Sequence, residues 1–399
     1  MTSNISENEK YLTEQLITYI GNKRALLDFI GKGVSFVQEK LGGKKLVTFD
    51  VFSGSGIVSR FLKKYSSFIY TNDMENYAQI ISNCYLSNKD ELNSKQIESL
   101  YNELISTSEK KIKLYVDDGN FLQSTSVDKN KSAQQSSNYP GFISELYAPK
   151  DIAHIAKDDR CFYTPYNAAY IDIISQAIKE IVPKGLQKFF IAPLLSECSV
   201  HANTGGVFKG FYKNRNTGVG KFGGTAANAL TRIKGNISLP FPVFSNFNCP
   251  SKILCSDANA LVESKDSPAV DLAYLDPPYN QHPYGSNYFM LNLVADYKRP
   301  SEDLLSKVSG IPCNWNRSSY NKHQVAAKSF SSLVEKINAK YLLVSFNNEG
   351  FISKDQMVAL LTRVGKVTVL ESNYNTFRAS RNLSDRNIHV KEYLYVVEK

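Results

Sequence analysis

The sequence predicts an α/β fold, a largely parallel sheet with helices on its faces, into which a second, mainly helical domain is inserted. Three observations carry that prediction. The first third of the chain alternates short apolar runs with stretches of helical spacing, as parallel strands joined by crossover helices do. The alternation stops near Ser87 and resumes near Lys252. Finally, the apolar run at 271–275 ends abruptly in Asp276-Pro277-Pro278-Tyr279. Neither proline has an N–H to donate, so the ladder cannot continue and a rigid turn must follow. That turn stands at the carboxyl end of a strand, where open α/β sheets bind their ligands.

The elements follow in order. Residues 22–39 place Leu26, Leu27, Phe29, Ile30, Val34, Phe36 and Val37 at helical spacing. A strand at 46–52, a helix at 57–65, a strand at 67–72 and a helix at 74–86 complete a βαβα pattern. Between 87 and 250 the readable elements are helical, at 168–181 and 186–200. The polar, Ser/Gln/Asn-rich stretch 124–138 reads as a mobile loop. Strands resume at 252–255, 271–275 and 341–346, and those at 367–373 and 390–397 read as a closing antiparallel hairpin. The implied organisation is a sheet domain built from 1–86 and 251–399, interrupted by an insertion at 87–250.

The chain has 399 residues, of which 42% are hydrophobic and 21% charged, a composition that suits a soluble globular protein. No apolar run is long enough to span a bilayer, and residues 1–10 are polar with no secretory h-region, so the expected location is the cytoplasm. Six cysteines are scattered without a CxxC pair, and no HExxH occurs, so neither a metal site nor a disulfide framework is expected. A formal net charge of +9 favours a polyanionic partner.

The charge is unevenly distributed. From Cys198 through Ser256 there is no Asp or Glu, yet the segment holds Lys209, Lys213, Arg215, Lys221, Arg232, Lys234 and Lys252. It is also rich in glycine and asparagine and carries Phe208, Phe211, Tyr212 and Phe222. Basic groups neutralise phosphates, and Asn and Arg can read base edges, so this segment is the expected nucleic-acid surface. A solvated loop that happens to lack acids is the plainer alternative. Arg378, Arg381 and Arg386 lie between the last two predicted strands and are placed to grip a phosphate backbone.

Four further motifs carry chemistry. The strand at 46–52 runs into Ser53-Gly54-Ser55-Gly56 and then a helix, a shortened glycine turn against which an adenosine-bearing ligand can lie. A tight structural turn is the alternative. The next strand ends at Asn72-Asp73, where an acid can accept both ribose hydroxyls or cap a helix. Asp257 follows the strand at 252–255 and could accept an exocyclic amine of a cofactor adenine. Lys23, within Thr18 to Arg24, precedes the first helix against the dipole preference, which a bound anion would offset. At 276–279, an acceptor pair beside a flat ring suits a planar substrate with an amino group, such as adenine.

Taken together, Tyr19-Ile20-Gly21-Asn22-Lys23-Arg24, Asp50 to Gly56 and Asp276 to Tyr279, in that order, resemble the adenine-specific DNA methyltransferases of the Dam-like α group, specifically type II modification methylases. Ala202 to Lys209, Asn287-Tyr288 with Leu291, Ser345 to Gly350 and 374–378 extend the resemblance. It covers most of the chain except 88–150. The resemblance implies a Rossmann-like, S-adenosylmethionine-dependent methyltransferase sheet and an inserted target-recognition domain. It also implies methyl transfer to N6 of an adenine flipped out of duplex DNA. Asp276 and the carbonyl of Pro277 would accept from N6, with Pro278 fixing the turn and Tyr279 stacking on the base. Tyr19 and Lys23 would hold the methionine end of the cofactor. Phe52, Gly54 and Gly56 would line its adenosine, Asp73 its ribose and Asp257 its adenine amine. No metal is implied. A cognate restriction endonuclease and a monomeric state are the expected partner and assembly.

Two departures are visible: Tyr19 stands where tryptophan is frequent, and His282-Pro283 is an uncommon continuation. N4-cytosine methylation is a second reading, although those enzymes usually carry serine in place of Asp276. Methylation of RNA or of a protein amine, and a non-catalytic DNA-binding homologue, are others. The last fits poorly with an acid, aromatic and glycine turn that are all intact.

Overall fold

A computed structural model describes residues 6–116, 139–224, 229–375 and 389–399. The loop expected at 124–138 and the arginines Arg378, Arg381 and Arg386 lie outside the described residues.

The sheet has seven strands: β1 (Leu46–Asp50), β2 (Ser66–Asp73), β3 (Ser251–Cys255), β4 (Val270–Leu275), β5 (Ala339–Asn347), β6 (Lys366–Asn375) and β7 (His389–Glu398). Their order is β3-β2-β1-β4-β5-β7-β6. The first five pair in parallel, while β7 enters antiparallel between β5 and β6. The expected terminal hairpin is therefore present, with its second strand on the inside. This is the expected Rossmann-like sheet.

Alternation along the central strands divides the core into two layers, because successive side chains point to opposite faces. On β5, Tyr341 and Leu343 join Leu26, Ile30 and Val34 of the Leu27–Lys40 helix region and Val58 and Leu62 of the Ile57–Leu62 helix. Leu342, Val344 and Phe346 face the other way, onto Ala258 to Val262 and the helices His323–Lys336 and Lys354–Thr362. Crossovers from β1 and from β4 thus leave on opposite faces. Between them lies the switch point at which such sheets open a crevice.

A third cluster joins the insertion to the sheet domain. The helices Ser94–Tyr115, Pro165–Ile181 and Lys188–Val200 pack with Asn76–Tyr85, which follows β2, and with Phe289–Asp296, which follows β4. Tyr77, Ile81, Ile171, Leu195 and Met290 are all buried there. Residues of 87–250 thus share one buried cluster with the helices that follow β2 and β4. Among the described residues no helix is long and apolar enough to cross a membrane.

The acid-free segment is held by Asn203. Its Nδ2 donates to the carbonyls of Cys161 at 2.7 Å and Lys221 at 2.8 Å, and its Oδ1 accepts from Gly223 N at 3.0 Å. Asn203 is fully buried, so alanine there would strand three backbone groups. Asn203→Ala should lower unfolding stability by about 2 to 4 kcal/mol. Equilibrium urea denaturation checks this, and an unchanged midpoint would show that the segment is held by other contacts.

Candidate active site

The carboxyl ends of the four strands β1 to β4 open onto one cleft of about 910 Å³. It is lined by Tyr19, Lys23, Phe52, Gly54, Asp73, Asp257 and Asp276 through Tyr279, which the fold brings together from five parts of the chain. Gly56 is absent from the lining.

Glycine is required at 54 by two constraints. Its φ is +50°, and a Cβ would lie 2.6 Å from the ring of Tyr19. Tyr19 is itself fixed by stacking on Tyr284 and Tyr288, with centroids 5.0 and 4.9 Å away. Gly56 also has positive φ, +73°, but a Cβ there would meet nothing closer than 3.7 Å. It opens the Ile57–Leu62 helix and shapes the turn from behind.

Asp73 ties this turn to the next strand. Its Oδ2 accepts from Gly54 N at 2.8 Å and its Oδ1 from Glu75 N at 2.9 Å. Burial raises its pKa, and the N–H groups of Glu75, Gly54 and Met74 draw it back. The helix cap that follows is Glu75. Asp257 does cap a helix: its Oδ1 accepts from Asn259 N and Ala260 N, both at 3.0 Å, at the start of Ala258–Glu263. Phe52 meets Tyr320 edge-on at 5.3 Å.

Lys23 differs most from its expected setting. It is 2% exposed, and its charge is offset by the chain itself. Nζ donates to Glu392 Oε1 at 2.8 Å and lies 3.2 Å from Asp276 Oδ1. Burial alone would depress the ammonium's pKa, but the carboxylates of Asp276 and Glu392 outweigh it and hold it well above the usual lysine value. Asp276 is 17% exposed at the side chain. Burial pushes it up to about 7, Lys23 draws it down, and Glu392 pushes it up again. Its Oδ1, sealed from solvent, is the oxygen that faces the ammonium. Beside it, the Tyr279 ring stands edge-on to Phe346 at 5.2 Å, with Lys23 Nζ 5.4 Å from its centroid.

Sequence reading missed Glu392 and Glu75. Glu392 interrupts the apolar strand β7 from a fully buried position, and that anomaly was the available signal. Glu75, two residues after Asp73, is buried with Oε1 unpaired. Burial pushes it up to about 7 although Asn292 and Asn316 hydrogen-bond its other oxygen.

Among the described residues, none of the basic candidates lines the cleft. Lys209, Arg215 and Lys234 are exposed, and Lys213 and Lys221 half-buried. Among the described residues none of these five forms an ion pair. Lys213 pairs with Gly220 across an isolated bridge, which leaves Arg215 on an exposed tip. Lys209 approaches the turn after Tyr279: burial and the Lys209 charge both lower the pKa of His282. Among the described residues, Arg232 differs from the other five in having hydrogen-bond partners within the protein for its charged group. Its guanidinium donates to the carbonyls of Val200 and Ala202, closing the end of the Lys188–Val200 helix, and is half-buried there.

A glycine turn, strand-end acids and an acid-Pro-Pro-Tyr turn at one switch point define a nucleotide-cofactor enzyme acting on a planar amine. Residues 19–360 match the family described as D12 class N6 adenine-specific DNA methyltransferase, and the chain belongs to that family. It is 28% identical to type II methyltransferase M.CviAII of Paramecium bursaria Chlorella virus 1, over 96% of this chain and 98% of that protein. It is 25% identical to type II methyltransferase M.NlaIII of Neisseria lactamica, over 96% and 99%. A 25% match to modification methylase StsI of Streptococcus sanguinis covers 96% of this chain and 52% of that protein. The chain is therefore an adenine-specific DNA methyltransferase that uses S-adenosylmethionine as methyl donor.

The cleft fits that donor: Gly54 presents bare backbone, and the unpaired carboxylate oxygens of Asp50 and Glu75 belong to lining residues. Gly54→Ala should weaken S-adenosylmethionine binding by about tenfold or more, since the added methyl would lie 2.6 Å from the Tyr19 ring and must push that ring out of its place in the cleft. Gly56→Ala meets no comparable neighbour and should cost less affinity. Calorimetric titration of both variants tests the distinction, and equal losses would refute a special role for the Tyr19 contact.

Proposed function

We propose that this enzyme methylates adenine within a specific duplex sequence as the modification partner of a restriction endonuclease, acting as a monomer in the cytoplasm. The observation that carries the reading is Asp276, whose carboxylate lines the cleft at the β1/β4 switch point beside Tyr279 and is ion-paired through Oδ1 with the buried Lys23.

When bound, S-adenosylmethionine supplies an electrophilic methyl group on a sulfonium; Tyr19 and Lys23 would face its methionine end, Phe52, Gly54 and Asp73 its nucleoside, and Asp257 its adenine amine. The target amine is a poor nucleophile because its lone pair is delocalised into the ring. Asp276 and the Pro277 carbonyl accept its two hydrogens and favour a pyramidal nitrogen, localising the pair. Tyr279 stacks on the flipped base, and positioning supplies most of the acceleration. The nitrogen gains a methyl group and sheds a proton. A carboxylate pushed up to about 7 can receive that proton without being a strong base.

Lys209, Lys213, Arg215, Lys221 and Lys234 would meet the DNA, with Lys209 bridging the insertion and the cleft mouth. The names of the relatives support the restriction-modification role. A solitary methylase would show the same chemistry.

Labelled S-adenosylmethionine should deliver methyl groups to N6 of adenine in unmethylated bacteriophage DNA, and Asp276→Ala should abolish the signal. Label in N4-methylcytosine would overturn the base assignment. In wild type, kcat/KM should fall as pH drops through about 7, because protonation removes an acceptor. A rate that stays flat down to pH 5 would exclude ionised Asp276 as that acceptor.

Lys209→Ala with Arg215→Ala should reduce the slope of log affinity against log salt by roughly 2. Arg232→Ala should instead lower stability and leave the slope unchanged. Filter binding over a salt series decides, and an unaltered slope in the double variant would move the DNA surface elsewhere.

A further inference from the structure

The chemistry above makes no use of Glu392, which is fully buried on β7. Its Oε1 accepts from Lys23 Nζ at 2.8 Å and from Ser345 Oγ at 2.6 Å, while Oε2 has no hydrogen-bond partner. A carboxylate with an idle oxygen in a sheet interior is costly, and an apolar residue would pack there more cheaply. The same ammonium forms an ion pair with Asp276 Oδ1 at 3.2 Å, an oxygen sealed from solvent. Lys23 is therefore shared between Glu392 and Asp276.

We infer that Glu392 is a positioning residue for methyl transfer: by sharing the Lys23 ammonium with Asp276 it fixes the orientation of the catalytic carboxylate, with Oδ1 turned toward the ammonium and the other oxygen left for the target amine. The inference rests on the adenine methylation described above and assigns Glu392 no contact with substrate or cofactor. Without the Glu392 charge, Lys23 has one carboxylate left to pair with, and the Asp276 carboxylate turns further toward it.

The ionisable groups around Asp276 are Lys23 just before the Leu27–Lys40 helix, Asp50 on β1, Tyr274 on β4, Tyr279 and Tyr284 beyond it, and Glu392 on β7. Only Lys23 among them draws the Asp276 pKa down, whereas Glu392 pushes it up. Removing Glu392 therefore has a signed consequence. Asp276 becomes harder to protonate and, at the same time, less available.

The test uses pH profiles of kcat and kcat/KM on methylatable DNA, normalised to active sites by S-adenosylmethionine titration, with Asp276→Ala as control. In Glu392→Gln the acid limb should move to lower pH by about half a unit or more, while plateau kcat falls about tenfold. The KM for S-adenosylmethionine should stay within about twofold. Ser345→Ala, which frees Glu392 on one side, should move both quantities in the same directions by less, and serves if Glu392→Gln does not fold. Reduced stability with an unmoved acid limb would assign Glu392 a structural role only and overturn the inference, as would a limb shifted upward. If wild type forms no N6-methyladenine, the underlying reading fails first, and the control makes that outcome separate.

Discussion

One buried ammonium joins the parts of this molecule that must act together. Lys23 comes from just before the Leu27–Lys40 helix, Asp276 from the end of β4 and Glu392 from β7, and the Lys23–Glu392 bond spans 369 positions of sequence. In a low-dielectric interior an unmatched charge is very costly, so each of the three requires the others in place. The carboxyl edge of the sheet is consequently a cooperative unit. The Leu27–Lys40 helix cannot shift from the sheet without stranding two carboxylates.

A second dependence runs through the aromatic groups. Tyr19 stacks on Tyr284 and Tyr288, and Ile20 N donates to the Tyr288 hydroxyl at 2.8 Å. Tyr288 belongs to the same buried cluster as the insertion helices. Phe208 N in turn donates to the Asn287 carbonyl at 2.7 Å. The acid-free segment, the turn after Tyr279 and the cofactor-side tyrosine are thus connected by direct bonds and ring contacts. Displacing the insertion on a DNA surface would be felt at the cleft through packed groups.

Legibility in the sequence tracked how local the physical requirement was. Pro277-Pro278 and Gly54 announce themselves because a missing N–H and a missing Cβ are properties of single residues. Asp73 and Asp257 were visible as acids at strand ends, although the backbone N–H groups that each accepts could not be foreseen. Ser94–Tyr115 went unnamed because its buried positions are few, at Ile97, Leu104 and Ser108, and charged residues surround them. Glu392 and Arg232 show the limit more clearly. Arg232 sits in a basic, acid-free run, which says nothing of the two carbonyls that occupy it. Glu392 has a partner on the opposite side of the chain's history, and no spacing rule reaches that far.

The place of β7 between β5 and β6 bears on how the enzyme is made. Both neighbours are synthesised earlier, yet they cannot lie side by side in the finished sheet, since each hydrogen-bonds to β7 instead. Until β7 joins, the parallel strands end at β5, β6 has no neighbour in the sheet, and Lys23 lacks Glu392. The strand that completes the sheet is thus also the one that brings the second carboxylate to Lys23.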